Sequence, residues 1–227
     1  MAANKSVRTP SNSPKRQGAV NMKVAIIGAG NVGRALGASI TRAGHEVTFS
    51  AKSAESADAA AREIGARAVP SNAEAVRGAD VVVLAVPFVG SGDEVAQEIA
   101  DAAVGRVVID VTNPIKPDYS GLAAEGTSAA EELQRRLPGA RVVKAFNTIF
   151  AANQANPSPE IDGFVAGDDA DAKQEVIGLV EAMGFTPVDV GPLQAARYLE
   201  GMAWLNIGLN AANGWSWSSA WRLEHKS

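Results

Sequence analysis

The chain has 227 residues, 46% of them hydrophobic, and a formal charge of -4, which is enough to bury one large core and too acidic to present the basic face that nucleic acid requires. It has no cysteine and two histidines far apart, His45 and His225. That excludes disulfides and thiol nucleophiles and argues against a metal site.

Residues 1–21 carry Lys5, Arg8, Lys15 and Arg16 and no acid, leaving the remainder at -8. Their Ser, Asn and Pro content, without the apolar stretch of about 7 to 15 residues that a secretory signal needs, predicts a disordered basic tail, a folded domain starting at Met22 and a cytoplasmic protein. No segment offers the roughly 20 apolar residues of a membrane span. The nearest, residues 198–212, contains Glu200, Asn206 and Asn210 and reads as a buried or interfacial helix.

The first predicted element is an apolar strand over residues 23–27. It breaks into Gly28-x-Gly30-x-x-Gly33 and continues as a helix over residues 31–42. Strand, glycine turn and helix in that order are the setting in which this motif binds a dinucleotide. Gly28 permits the turn, Gly30 lets backbone approach the pyrophosphate, and Gly33 lets the helix pack on the strand. Phosphate then meets the helix start at Asn31, Val32 and Gly33.

A second strand, residues 47–49, runs into Ser50-Ala51-Lys52-Ser53. NAD-selective folds place Asp or Glu here for the ribose hydroxyls, whereas hydroxyls and an ammonium complement a 2′-phosphate. Glu55 and Asp58 come too late, so the expected cofactor is NADP(H).

Further strands are predicted at residues 66–69, 81–86, 107–111 and 142–146, with Ala-rich helices between them. Gly44, Gly65 and Gly78 are placed as C-caps, and Ser71 and Ser128 as N-caps. The runs are continuous in Val and Ile, as expected of parallel strands covered on both faces. Beyond residue 150 come a Pro/Asn loop, a strand at 164–166, a helix at about 169–183 begun by Asp168 and Asp169 as caps, and a strand at 186–190. Gly191-Pro192 then opens a final long helix. The expected fold is a Rossmann-type α/β domain over residues 22–190, a doubly wound and mostly parallel sheet, with a small C-terminal helical segment over 191–227.

Ligands of such sheets bind beyond the carboxyl ends of the strands. Val86-Pro87-Phe88, Thr112-Asn113-Pro114 and the stretch from Asn147 to Ala151 should converge there. The amide of Asn113 or Asn147 either bonds a nicotinamide carboxamide or ribose or stabilises a turn. Lys144 lies in an apolar strand, so its ammonium must reach solvent, a carboxylate or a bound anion. There is no Gly-x-Ser-x-Gly elbow, no Walker lysine and no His-Glu-x-x-His, and no side chain is assigned to catalysis. Trp204, Trp215, Trp217 and Trp221 crowd the C-terminal end, either buried in a core or dimer interface or stacked on a tricyclic ring.

Residues 23–33, Gly44-His-Glu-Val47, Val143-Lys-Ala-Phe-Asn-Thr148, Gly167-Asp-Asp169 and Asp189-Val-Gly-Pro-Leu193 resemble the NADPH-dependent reductases of the deazaflavin coenzyme F-420. The resemblance implies a homodimer that passes a hydride between NADPH and the deazaflavin, with the 2′-phosphate at Ser50, Ala51 and Lys52 and the nicotinamide against Ala151. Archaeal members have a longer glycine loop, and His where this chain has Asn147. Two alternatives stay open: an NADPH-dependent reductase of a flavin, quinone, imine or carbonyl substrate, and a non-catalytic NADP sensor.

Overall fold

The computed structural model of the protein describes residues 21–224. The tail expected over residues 1–21 lies, up to residue 20, outside the described residues, as does His225. Eight strands form one sheet: β1 (Lys23–Ile27), β2 (Glu46–Ser50), β3 (Arg67–Ala68), β4 (Val81–Leu84), β5 (Val107–Asp110), β6 (Arg141–Ala145), β7 (Asp162–Gly167) and β8 (Thr186–Asp189). Their order is β3-β2-β1-β4-β5-β6-β7-β8. All neighbours are parallel except β6 and β7, which run antiparallel. This is the expected doubly wound α/β fold.

The Val and Ile runs alternate between two cores because both faces of a parallel sheet are covered. Val24, Ile26, Val83, Ile109 and Val143 pack on one side with α1 (Asn31–Arg42), α2 (Ala54–Ile64) and α7 (Ala170–Met183). Ala25, Ile27, Val82, Leu84 and Val108 pack on the other with α3 (Asn72–Arg77), α4 (Phe88–Ile99) and α5 (Ala129–Arg136). A short α6 (Ala151–Ala155) follows β6, and α8 (Ala196–Asn213) ends the helical structure.

The predicted caps mostly form. Ser71 and Ser128 accept the N–H of Glu74 and Glu131, and Asp169 accepts that of Ala172. Asp168 instead accepts the N–H of Leu193, fastening the turn that leads into α8 to the end of β7. Gly65 closes α2 with a left-handed C-cap, while Gly78 ends α3 without one. Pro192 does not begin the last α-helix: it precedes a 3-10 turn, Leu193–Ala195, that leads into it. Five predicted strands are too long: β3 is only Arg67–Ala68, β4, β5 and β8 stop at Leu84, Asp110 and Asp189, and Phe146 turns left-handed at φ 63° after β6.

The strand order reverses between β1 and β4. Consecutive connections leave to opposite faces at that point, and the parted loops open a cleft beyond the strand ends.

Candidate active site

The cleft has two unlike walls. On the β1 side the backbone does the work. Gly28 turns at φ 112°, and a Cβ there would stand 2.3 Å from the carbonyl oxygen of Ala85. Its N–H is fixed by the carbonyl of Ser50 at 2.8 Å. At Gly33 a Cβ would stand 2.0 Å from the carbonyl oxygen of Gly28, so only glycine lets α1 approach the strand this closely. Gly30 differs: its φ is an ordinary -79°, and nothing lies within 4 Å of where a Cβ would be. The space is open over the N-terminus of α1, which has no side-chain cap and no acid in its first turn. Arg34 donates to the carbonyl of Ala29 at 2.9 Å and pairs with Glu63, bracing the loop from below.

At the end of β2 no carboxylate stands where one would exclude a 2′-phosphate. The four expected residues part company here. Ser50 is buried and donates its hydroxyl to Asn72 at 2.7 Å. The Ser53 hydroxyl accepts the N–H of Ser56 and caps α2. Ala51 is half-buried against the core, and Lys52 is exposed. The charge that this corner offers a ligand is therefore the Lys52 ammonium.

The opposite wall is built from side chains. Asn113 and Asn147 meet across the ends of β5 and β6. The Asn113 amide donates to the Asn147 carbonyl at 3.0 Å, and the Asn147 amide donates to Asn113 Oδ1 at 2.9 Å. Asn147 Oδ1 is buried and has no partner among the described residues. The left-handed turn at Phe146 presents Asn147 this way, and Gln154 holds that turn by donating to the carbonyls of Phe146 and Ile149 at 3.1 and 2.9 Å. Strain of this kind collects at sites whose surroundings over-determine it.

A cavity of about 110 Å³ lies between Val32, Asn113, Asn147, Ala151 and, on α8, Ala203 and Asn206. Phe150 borders it, and the Trp217 ring meets the Phe150 ring edge-on, centroids 5.7 Å apart. Of the tryptophans expected in a core, in a dimer interface or stacked on a ring, Trp215 and Trp217 are about half exposed, and Trp221 joins a buried cluster with Phe164 and Leu199. Val86 packs beside Gly28, Pro87 precedes α4, and the Phe88 ring lies under the Arg136 guanidinium at 5.9 Å. Phe88 thus faces α5.

Lys144 is fully buried, and its ammonium spends its three protons on Asp110 Oδ2, the Thr112 carbonyl and Glu200 Oε1, at 2.9, 2.6 and 2.8 Å. Burial alone would strip its proton, but the two carboxylates outweigh that and hold its pKa above the ordinary lysine value. With two acids to one cation, burial raises the Glu200 carboxyl. Such an ammonium is no proton donor to a substrate in the cleft. Asp110 and Glu200 were not visible as its partners in sequence; Glu200 is 56 positions away.

A larger cavity, about 570 Å³, lies at the opposite ends of the strands and is lined by residues that include Lys23, Glu46, Arg67 and Glu74. Its charges balance and it does not join the cleft. Among the described residues no cluster of three or more acids or histidines could hold a metal, and no helix is long and apolar enough to cross a membrane.

This architecture is shared with known proteins. A protein from Arthrobacter sp. FB24 assigned as an F420-dependent NADP-reductase superposes with a TM-score of 0.81 at 28% identity, over 90% of this chain and 100% of that one. The hypothetical protein SMa0349 of Sinorhizobium meliloti matches at 32% identity and a TM-score of 0.68, over 77% and 87% of the two chains. Rat metalloreductase STEAP3 is 33% identical over 183 residues, 78% of this chain, although the chain spans only 36% of that relative's length. Residues 23–114 match the family described as NADP oxidoreductase, coenzyme F420-dependent. Through those residues, which carry the glycine turn, the β2 end and Asn113, the chain belongs to the NADP oxidoreductase, coenzyme F420-dependent family.

Proposed function

We propose that the protein transfers a hydride between NADPH and a deazaflavin coenzyme of the F-420 type. The observation that carries the reading is the pairing of a cradle shaped for a dinucleotide with a wall that offers no proton donor. The open space at Gly30 and the uncapped start of α1 at Asn31, Val32 and Gly33 fit a pyrophosphate, and Gly28 holds the turn. Lys52 fits the 2′-phosphate, with Ser50, Ala51 and Ser53 shaping the corner.

The unpaired Asn147 Oδ1 fits the amide N–H of a nicotinamide, with Asn113 steadying it and Ala151 beside it. Val86, Pro87 and Phe88 form the edge of the cleft, Val86 the nearest to the glycine turn. NADPH supplies the hydride. The residues of the chain align the two rings and exclude water, and hydride exchange between preformed redox rings draws its acceleration from such alignment. The sealed state of Lys144 supports this acceptor over a carbonyl or imine, whose reduction calls for an acid.

A second reading is favoured by one observation. The similarity to a metalloreductase supports an NADPH-dependent reductase with a different acceptor. The test is anaerobic mixing of the full chain and NADPH with deazaflavin, FMN, FAD, ferric chelates and small carbonyls, following loss of reduced-nicotinamide absorbance. Turnover of deazaflavin supports the first reading; turnover of another acceptor alone supports the second; binding without hydride loss to any acceptor leaves an NADP sensor.

We also propose a homodimer and a cytoplasmic setting. Tyr198, Leu205 and Leu209 of α8 are exposed, an apolar face suited to a second copy, and Leu205→Glu is expected to halve the mass measured by light scattering if that face pairs.

A further inference from the structure

We infer that Lys144 is a positioning residue, whose ammonium, tied down by Asp110 and Glu200, holds the Thr112 carbonyl and through it the Asn113–Asn147 amide pair at the mouth of the cleft. The inference rests on the proposed site.

Thr112 is gripped at both ends of one residue. Its N–H is accepted by Asp110 Oδ1 at 2.9 Å, and its carbonyl accepts from Lys144 at 2.6 Å. The next residue is Asn113, whose amide makes the reciprocal bonds to Asn147. Asn147 in turn follows β6, three residues after Lys144 and two after the last strand residue, Ala145. One ammonium therefore fixes both ends of the amide bridge, since it sits on β6 and binds the loop after β5.

The tether is itself anchored. Glu200 reaches in from α8 and accepts the Ala129 N–H with both oxygens, at 2.9 and 3.1 Å, as well as the Lys144 ammonium. Strand β6, the β5 loop, α5 and α8 meet at a point fully removed from water. The arrangement is costlier than a packed apolar cluster, because buried ion pairs seldom recover their desolvation energy. Stability alone gives no reason for it. A fixed direction for the Thr112 carbonyl does, because an ammonium with three committed donors defines a position where an alkyl group would not.

The test compares two variants of the full chain. Asp110→Asn/Lys144→Met/Glu200→Gln removes the three charges of the cluster, keeps acceptors for the Thr112 and Ala129 N–H groups, and deletes the bond to the Thr112 carbonyl. Glu200→Gln alone removes one charge and keeps that bond. The first readout needs no ligand: the side-chain amide signals of Asn113 and Asn147 in nuclear magnetic resonance spectra. They should stay resolved and protected in Glu200→Gln and lose protection in the triple variant, while both remain folded. The second is single-turnover oxidation of NADPH deuterated at the transferred position. The triple variant should lose at least about tenfold in hydride-transfer rate with NADPH affinity within about threefold, and Glu200→Gln should stay near wild type.

Unchanged amide protection in the triple variant would overturn the inference, as would a triple variant that is unfolded or one that transfers hydride at the wild-type rate. A wild-type protein that transfers no hydride from NADPH to deazaflavin would instead overturn the proposed function, and the amide signals would still decide the role of Lys144.

Discussion

The two walls of the cleft solve the same positioning task with different materials. The β1 wall is backbone: a left-handed glycine, an empty place at Gly30 and a helix start, all within residues 28–33. The β6 wall is side chain: an amide pair, a glutamine staple on a left-handed Phe146 and an ion cluster, with partners from 5 to 71 positions apart. A wall made of backbone tolerates no added atom where it is tight and leaves its ligand contacts to peptide groups. A wall made of side chains fails when one partner is removed, because the others are left buried without satisfaction.

The contrast breaks most visibly at Lys144. Lys144→Met leaves Asp110 and Glu200 buried without their cation and should destabilise the protein by about 3–5 kcal/mol, read as a lower midpoint in urea unfolding. A loss below about 1 kcal/mol would show that water or a shift of α8 repairs the site.

Next come the glycines. Gly33→Ala drives a Cβ into the Gly28 carbonyl and should cost about 1–3 kcal/mol along with NADPH binding. Gly30→Ala meets no protein atom and should fold normally yet bind NADPH at least about tenfold more weakly, about 1.4 kcal/mol. Equal affinities of Gly30→Ala and wild type in a fluorescence titration would remove the cradle from the account.

Lys52→Asp should weaken NADPH binding by about tenfold or more and leave NADH nearly untouched, since it reverses a charge at the 2′ corner. The same loss for both nucleotides would contradict the assignment.

The smallest effect concerns the α5–α8 junction beside the β6 wall. Arg197 forks onto Glu131 at 2.7 Å through two nitrogens and, with Ser128, holds the Glu131 carboxyl below its ordinary 4.5 despite partial burial. A depressed acid adds stability that is present above pH 4.5 and lost as pH falls below it. Glu131→Gln should therefore lower Tm slightly at neutral pH and flatten its fall between pH 4.5 and the onset of acid unfolding. An unchanged slope would remove the fork from the acid response.

The same contrast explains what the sequence could reveal. The β1 wall was legible because its constraints are local: the motif spans six residues, and the glycines of close approach, Gly28 and Gly33, lie within it. β1, β4 and β5 were the most legible strands because both faces are covered and their Val and Ile runs are unbroken. Asn113 and Asn147 could be placed at strand ends, but their reciprocal bonds could not, and neither could the cluster joining Asp110, Lys144 and Glu200. Those depend on register across β5 and β6 and on where α8 lands. Ser50 and Ser53 looked like ligand contacts because hydroxyls serve caps and phosphates alike; Asn72 and the α2 cap occupy them. Trp217 could not be assigned between core, interface and ring stacking, because a tryptophan in sequence carries no sign of whether its ring is covered.

The central claim is that the backbone wall holds NADPH while the amide wall presents its ring to a deazaflavin. Rapid anaerobic mixing of the full chain with stereospecifically deuterated NADPH and deazaflavin tests it most directly. The account predicts saturable NADPH oxidation with the label recovered on the deazaflavin and a primary isotope effect on the step. Tight NADPH binding with no label transferred, or label lost to solvent, would contradict it.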